Sequence, residues 1–194
     1  PANYFMDRLM PIDSARPLLL GNIANLFLDE WIHADAEEPD YVTCMKKAFR
    51  QYSIELAACE ELLEPDKEKA FFNDCRMHFD HIRETVQQTF KESGYQLDKS
   101  DAVLEPSYIC EALGVQGRLD YMQRDMKSFI EMKSGKADEY ALKGRVEPKE
   151  NNRVQMLLYM AVLEYSMNVD HRKQRPYLFY TRYPLLYPAR ASWA

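Results

Sequence analysis

The sequence predicts an α/β domain with a helical first half and, in its second half, a small mixed β-sheet flanked by helices. In residues 40–63 and 66–92, apolar side chains recur at steps of three and four, which is the period of an amphipathic helix. From residue 102 the chain changes to short runs rich in β-branched and aromatic residues, which favour strands. One apolar segment, at about 151–167, interrupts these runs and predicts a helix packed against the sheet.

The helical half contains three predicted helices. The first covers residues 17–31, the second ends before Pro65, and the third runs from residue 66 to about 92. His78 and His81 lie on the third helix at a spacing that suits two ligands of one metal ion. No third ligand is near them in sequence, so we expect no metal role for this pair.

Length, composition and charge limit the possible functions. We predict a single domain over residues 1–194, in which 1–100 are mainly helical and 101–194 hold the sheet and the apolar helix. The formal net charge of -6 disfavours binding of nucleic acid by bulk electrostatics, but it does not exclude local basic groups beside an acidic site. No apolar run approaches the ~20 residues that span a bilayer, and no signal peptide opens the chain. We therefore predict a cytoplasmic protein without a membrane partner.

Two predicted strands, at 117–120 and 129–136, carry acids and a lysine. Because side chains alternate between the faces of a strand, Glu131 and Lys133 project from the same face. A symmetric hairpin loop between the strands places Asp120 opposite Glu131 on that face. Two carboxylates and an ammonium suit a Mg²⁺ or Mn²⁺ site for phosphodiester hydrolysis, where the lysine steadies a hydroxide or the charge on phosphorus. Taken alone, the pattern also suits a solvated strand face.

Further along the chain, the apolar helix carries two polar residues at a spacing of four, on one helix face. The full ordered set is Gly117-x-x-Asp120, Glu131-x-Lys133 and Gln155-x-x-x-Tyr159. This set resembles the RecB-like branch of the PD-(D/E)xK nuclease superfamily, which includes CRISPR-associated exonucleases and the nuclease domain of the eukaryotic replicative helicase-nuclease. The resemblance covers roughly residues 104–185, with a weaker extension towards the N-terminus.

The resemblance implies a restriction-endonuclease-like core and a metal-dependent deoxyribonuclease, exonuclease-like on single-stranded ends in DNA repair or recombination. The cofactor would be Mg²⁺ or Mn²⁺, held by the two acids, with the backbone carbonyl of Met132 as a further oxygen ligand. Gln155 and Tyr159 would orient a phosphate or the lysine. The implied catalytic set is Asp120, Glu131, Lys133, Gln155 and Tyr159.

A departure from the family concerns the first predicted helix. Family members often begin with Gly-x-x-x-His, whose histidine is an additional metal ligand. Here Gly21-x-x-x-Asn25 has that spacing with asparagine in the histidine position. If the alignment holds, Asn25 offers the metal an amide oxygen instead of an imidazole, which changes metal preference and rate. A plain core helix is the alternative interpretation.

Several family members also carry an iron–sulfur cluster, held by one early cysteine and three clustered after the glutamine–tyrosine helix. No cysteine follows Tyr159, so we expect no iron–sulfur cluster within this chain. The irregular spacing of the cysteines instead predicts buried free thiols: Cys44, Cys59, Cys75 and Cys110. The start at Pro1, without an initiator methionine, is compatible with a fragment of a larger protein that has a fused or associated helicase.

Basic residues are concentrated around residues 137–150, which Gly144, Pro148 and a high charge density predict to be a mobile loop. They are Lys136, Lys143, Arg145, Lys149 and Arg153. Contact with the backbone of DNA, more specifically single-stranded DNA, is one interpretation. Solubility is the other, because acidic residues are interleaved with them.

Two alternatives to a nuclease remain from the sequence. One is a catalytically weak nuclease-fold module that binds DNA or acts as a scaffold, which Asn25 and the acidic net charge favour. The other is a metal-dependent phosphoesterase that acts on a small nucleotide.

Overall fold

The computed structural model describes residues 16–35, 37–92, 94–140 and 145–189. Its α-helices are α1 (Arg16–His33), α2 (Tyr41–Gln51), α3 (Ser53–Ala58), α4 (Pro65–Gln87) and α5 (Glu150–Met167). Its strands are β1 (Ala102–Leu104), β2 (Ser107–Cys110), β3 (Val115–Arg118), β4 (Tyr121–Gln123), β5 (Ser128–Lys133), β6 (Asp138–Tyr140), β7 (Arg145–Glu147), β8 (Arg175–Tyr180) and β9 (Leu185–Pro188).

Five strands form the main sheet, in the order β1-β4-β5-β8-β9. Strands β5 and β8 pair in parallel, and the other neighbours pair antiparallel. A parallel pair requires a crossover connection, and α5 lies within the connection from β5 to β8. The pairs β2–β3 and β6–β7 form separate two-stranded sheets. The predicted fold class, α/β with a helical first half and a small mixed sheet flanked by helices, is confirmed.

Helices cover both faces of the main sheet. Helices α1, α2 and α4 pack on one face, against Ile130, Met132 and their neighbours on β8. Helix α5 packs on the other face, against Phe129. Because side chains alternate along β5, Glu131 and Lys133 project from the face that α5 covers, as predicted.

The strand predicted at 117–120 is wrong in one respect. Gly117 and Arg118 belong to β3, which pairs with β2 and not with β5. The chain changes partner at the fully buried Leu119, whose N–H donates to the Pro106 carbonyl at 3.1 Å. The β4–β5 register nevertheless pairs Tyr121 with Ile130. One step outward, this register sets Asp120 opposite Glu131, as the sequence predicted.

Three other predictions need correction. The helix expected at 40–63 is divided into α2, α3 and a 3-10 turn (Glu60–Leu63), since Tyr52 leaves the helical conformation between α2 and α3. The loop expected at 137–150 contains β6 and β7, which form a hairpin. The apolar helix expected to pack against the sheet rather than lie on a surface is α5, which packs on the sheet with one side only, and Leu158 is 48% exposed on the other.

The four cysteines are buried and free, as predicted. Among the described residues, no helix combines the length and the apolar character that crossing a bilayer requires.

Candidate active site

Helix α1 crosses the carboxyl end of β5. A Cβ atom on Gly21 would lie 3.2 Å from Ser134 Oγ, and Ser134 directly follows β5. Two turns further along α1, Asp29 lies within electrostatic range of Glu105 and Arg118. Residues spaced by four lie on the same face of a helix, so the face of α1 that contains Gly21 and Asp29 borders the end of the sheet.

Asn25 lies on this face, one turn from Gly21 and one turn from Asp29. It is partly buried. Its place on α1 is near the end of the sheet, because the turns before and after it both border that end.

The two predicted acids meet at this end of the sheet. Asp120 Oδ2 accepts a hydrogen bond from the Met132 N–H at 2.6 Å. Glu131 is buried, and its Oε1 accepts from Lys133 Nζ at 2.7 Å and from Gln155 Nε2 at 2.8 Å. Glu131 Oε2 is also buried, yet it has no hydrogen-bond partner among the described residues. A buried carboxylate oxygen without a donor costs free energy, which a bound cation would recover.

Gln155 and Tyr159 connect α5 to β5 and β3. Gln155 Oε1 accepts from Lys133 Nζ at 2.9 Å, so its amide contacts the lysine and the glutamate at once. Gln155 Nε2 also donates to Tyr159 Oη at 3.2 Å, and Tyr159 donates to the Arg118 carbonyl at 2.7 Å. The predicted proximity of these polar residues to the strand is therefore present in the structure.

Gly117 is required by this contact. A Cβ atom at Gly117 would lie 2.7 Å from Tyr159 Cε1, closer than two carbon atoms can approach without a shift. Gly117 and Tyr159 are thus in direct contact, and Asp120 follows Gly117 by three residues. The three pairs of motif residues, which are far apart in sequence, therefore lie close together in the fold.

The site carries more negative charge than its own basic group compensates. Burial, and then the neighbouring Glu131, raise the pKa of Asp120 above its usual range. Burial also raises the pKa of Glu131, although Lys133 opposes this shift. An opposite charge placed between the two carboxylates would favour their ionised forms.

The donor set therefore fits a hard divalent cation. Asp120 and Glu131 offer carboxylate oxygens, which Mg²⁺ and Mn²⁺ prefer. In a strand, the N–H and C=O of one residue point to the same side, so the Met132 carbonyl points to the side of Asp120, as its N–H does. The residues here that would hold the ion are Asp120, Glu131 and Met132, and Asn25 lies on the face of α1 that borders the same end of the sheet.

A different acidic group lies at the far end of α5. Glu164, Asp170 and His171 each place one ligand atom within 4.8 Å of the others. Asp170 accepts from Arg172 Nε at 3.0 Å and from Arg172 Nη2 at 2.8 Å, and this guanidinium lowers the pKa of Asp170 to about 2. His171 Nδ1 lies 3.0 Å from Glu164 Oε1. The charge of Asp170 is already compensated, so the group does not require a metal.

The predicted basic residues are only partly described. Lys136 and Arg153 are exposed, and Lys149 is partly buried. Lys149 and Arg153 flank the first turn of α5, the helix that carries Gln155, and Lys136 lies three residues beyond Lys133. Lys143 and the side chain of Arg145 lie outside the described residues.

Asp29 and Arg118 are site residues that the sequence interpretation missed. Burial, followed by the nearby Glu105, raises the pKa of Asp29 to about 6. The spacing Gly21, Asn25, Asp29 could have indicated the aspartate, since it continues the face of α1 by one turn. Arg118 is adjacent to the Gly117 motif, and its guanidinium forms an ion pair with Glu105 at 3.3 Å.

Comparison with known proteins adds no assignment. The sequence matches none of the protein-family models, and a search of curated proteins gives no significant match. Any function proposed for this chain therefore depends on the residues of the site and on the spacing of its motifs.

Proposed function

We propose that this protein is a divalent-metal-dependent deoxyribonuclease of the PD-(D/E)xK type with a restriction-endonuclease-like core. The main support is the buried Glu131 Oε2, which has no partner among the described residues and lies on a carboxylate that neighbours Asp120. Gln155 and Tyr159 support the same assignment, because they contact Lys133 and Glu131 directly or through each other.

Asp120, Glu131 and the Met132 carbonyl would hold Mg²⁺ or Mn²⁺. When bound, such an ion polarises the scissile phosphate and lowers the pKa of coordinated water. The protein's own residues fix the rest of the geometry. Gln155 accepts from Lys133 and donates to Glu131, so it holds both groups in one arrangement.

Lys133 keeps a donor for the substrate. An ammonium has three N–H donors, and Glu131 and Gln155 accept two of them. The third has no acceptor among the described residues, so it is available to an attacking water or to a phosphate oxygen. A positive charge at this point stabilises the negative charge that develops on phosphorus.

Single-stranded DNA is the proposed substrate. Lys136, Lys149 and Arg153 lie on elements that adjoin Lys133 and Gln155, where they can contact phosphates on either side of the scissile bond. The overall charge of -6 is compatible with this role, because only the local surface beside the site needs to be basic.

The test is cleavage of end-labelled single- and double-stranded DNA with Mg²⁺, Mn²⁺ or a chelator, together with calorimetric titration of Mn²⁺ into the metal-free protein. We expect metal-dependent cleavage, and we expect Glu131→Gln to lose Mn²⁺ binding. Glu164→Gln, which changes an acid at the far end of α5, is the matched control and should behave as wild type. Absence of metal-dependent cleavage would refute the proposal.

A catalytically weak nuclease-fold module that binds DNA is the second candidate. Asn25 favours it, because an uncharged amide on α1 binds a divalent cation less strongly than a charged or imidazole ligand would. The two candidates differ in one observation: the module retains DNA in a gel shift and releases no labelled product with either metal.

A further inference from the structure

Helix α4 contacts the end of the catalytic strand through a chain of hydrogen bonds. His81 Nδ1–H donates to the Thr181 carbonyl at 2.9 Å. The Thr181 N–H donates to the Lys133 carbonyl at 3.0 Å, and the Thr181 hydroxyl approaches the same oxygen at 3.4 Å. A residue on a distant helix is thereby linked to the backbone of the proposed catalytic lysine.

This chain of hydrogen bonds is buried at Thr181. Thr181 is 0% exposed, so no solvent can replace a lost donor at its carbonyl. The buried His78 ring also lies near the Thr181 backbone, but neither of its nitrogens forms a hydrogen bond with a described residue. Removing the partner of a buried acceptor leaves its desolvation cost uncompensated, and the local backbone then tends to move towards another donor. Such a movement at Thr181 would carry the Lys133 carbonyl with it, because β8 pairs with β5 up to Tyr180 and Lys133.

Helix α4 also contacts the start of α1, the helix that borders the site. Asp74 Oδ2 accepts from Arg16 Nη2 at 2.7 Å and lies 3.8 Å from Arg182 Nη2. Arg16 begins α1, the helix that carries Gly21 and Asn25, and Arg182 directly follows Thr181. One face of α4 thus contacts both the end of the strand that pairs with β5 and the start of α1.

We infer that His81 is a positioning residue for Lys133, acting through Thr181. The inference rests on the proposed function, since it assigns His81 a role in the geometry of that site. His81 touches neither substrate nor metal. Its hydrogen bond fixes the position of the end of β5. The contacts of Lys133 with Glu131 and Gln155 depend on that position.

The test uses two substitutions of nearly equal shape, His81→Asn and His81→Asp. The asparagine amide places an N–H close to the position of Nδ1, whereas an ionised aspartate presents only acceptors to the Thr181 carbonyl. We expect His81→Asn to keep kcat near the wild-type value. We expect His81→Asp to lower kcat by about 10- to 100-fold, which a displacement of about 1 Å produces, with KM for DNA little changed. His171→Asn and His171→Asp, at the exposed far end of α5, are the matched controls.

A second measurement does not depend on activity. Amide hydrogen exchange reports the Thr181 N–H, which donates to Lys133, and the ¹³Cε chemical shift of Lys133 reports its contacts. We expect His81→Asp to lose protection at Thr181 and to shift the Lys133 signal, while His81→Asn preserves both.

The outcomes separate the two claims. If wild type fails to cleave DNA, the proposed function is wrong, yet the exchange and the Lys133 signal still test the inference. If His81→Asp keeps the Thr181 protection and the Lys133 shift of wild type, the inference is wrong. Equal kcat values for the two His81 variants of an active enzyme would also overturn it.

Discussion

Helix α5 carries a polar cluster at each end, and the two clusters differ in how their charge is compensated. At the first end, Gln155 contacts a buried glutamate that keeps one oxygen without a donor among the described residues. At the other end, Asp170 and its neighbours are more exposed, and Arg172 already supplies two hydrogen bonds. The number of acids is similar. What distinguishes a candidate metal site is burial together with uncompensated negative charge.

Distances between possible ligand atoms alone select the other end of α5. Glu164, Asp170 and His171 satisfy a distance test for metal ligands. Their side chains reach one another because each is drawn into hydrogen bonds and ion pairs at the surface. Asp120 and Glu131 are instead buried, and this burial raises the pKa of both carboxyl groups. A cation bound between these buried carboxylates would compensate their negative charge and so stabilise the protein, whereas the exposed cluster is already compensated.

The largest expected effect comes from removing the charges of the buried cluster. Asp120→Ala, Glu131→Ala and Lys133→Ala should each lower Mg²⁺- or Mn²⁺-dependent cleavage to less than about one hundredth of wild type, since each removes a ligand or a charge that acts in the transition state. Cleavage of labelled DNA under single-turnover conditions measures the loss. Asp170→Ala, in the exposed cluster, should cleave as wild type does.

Thermal unfolding in a chelator checks that the fold survives these changes. Asp120→Ala should raise the unfolding temperature of the metal-free protein, because it removes repulsion between two buried carboxylates. Retained turnover in any of the three variants, at verified purity, would contradict the assignment of the site.

The next effect concerns stability towards acid and compares a buried histidine with an exposed one. Burial lowers the pKa of His78 to about 4, from an ordinary value near 6.5. Between these values the unfolded chain binds a proton that the folded protein does not, so the contribution of His78 to stability falls as the pH falls from 6.5 to 4. The loss approaches about 3 kcal/mol. The raised pKa values of Asp29 and Asp120 act in the opposite direction.

Urea unfolding at pH 7 and pH 4.5 measures this effect. We expect His78→Gln to reduce the loss on acidification, and we expect His171→Gln, at the exposed cluster, to retain all of it. An identical loss in wild type and His78→Gln would assign the acid sensitivity to other groups.

Local rules of the chain predicted much of the site. The period of two in a strand placed Glu131 and Lys133 on one face, and the spacing of four placed Gln155 and Tyr159 on one side of a helix. Hairpin symmetry placed Asp120 opposite Glu131. Each of these relations joins residues that are close in sequence or joined by one turn, so short-range geometry determines them.

The remaining features depend on contacts between distant segments. The change of partner at Leu119, which assigns Gly117 to a different sheet from Tyr121, follows from packing against α5 and has no local signal. Asp29 becomes a site residue only because α1 crosses the end of the sheet. The pair β6–β7 was missed because charged residues dominate it, and apolar alternation is the signal by which strands are recognised.

A smaller effect tests whether α1 completes the buried cluster. Asn25→His should tighten Mn²⁺ binding by about 10-fold and Mg²⁺ binding by less, because imidazole suits Mn²⁺ better than Mg²⁺. Calorimetric titration of both metals into wild type and variant measures the difference. Asn22→His, three residues earlier on α1 and off the Gly21–Asp29 face, is the control. Equal affinities in all three proteins would mean that Asn25 lies away from the ion.

The smallest effect concerns the basic residues near the first end of α5, compared with those near the second. If Lys136, Lys149 and Arg153 contact phosphates, replacing all three by glutamine releases fewer counterions when DNA binds. The slope of log K against log salt for single-stranded DNA should then become less negative by roughly 2, at about 0.7 for each contact.

Replacing Arg172, Lys173 and Arg175, which lie around the exposed cluster, removes the same formal charge and should leave the slope unchanged. Fluorescence anisotropy at a series of salt concentrations measures both. Equal slopes for the two triple variants would show that net charge alone sets the binding, and would return the first three residues to a role in solubility.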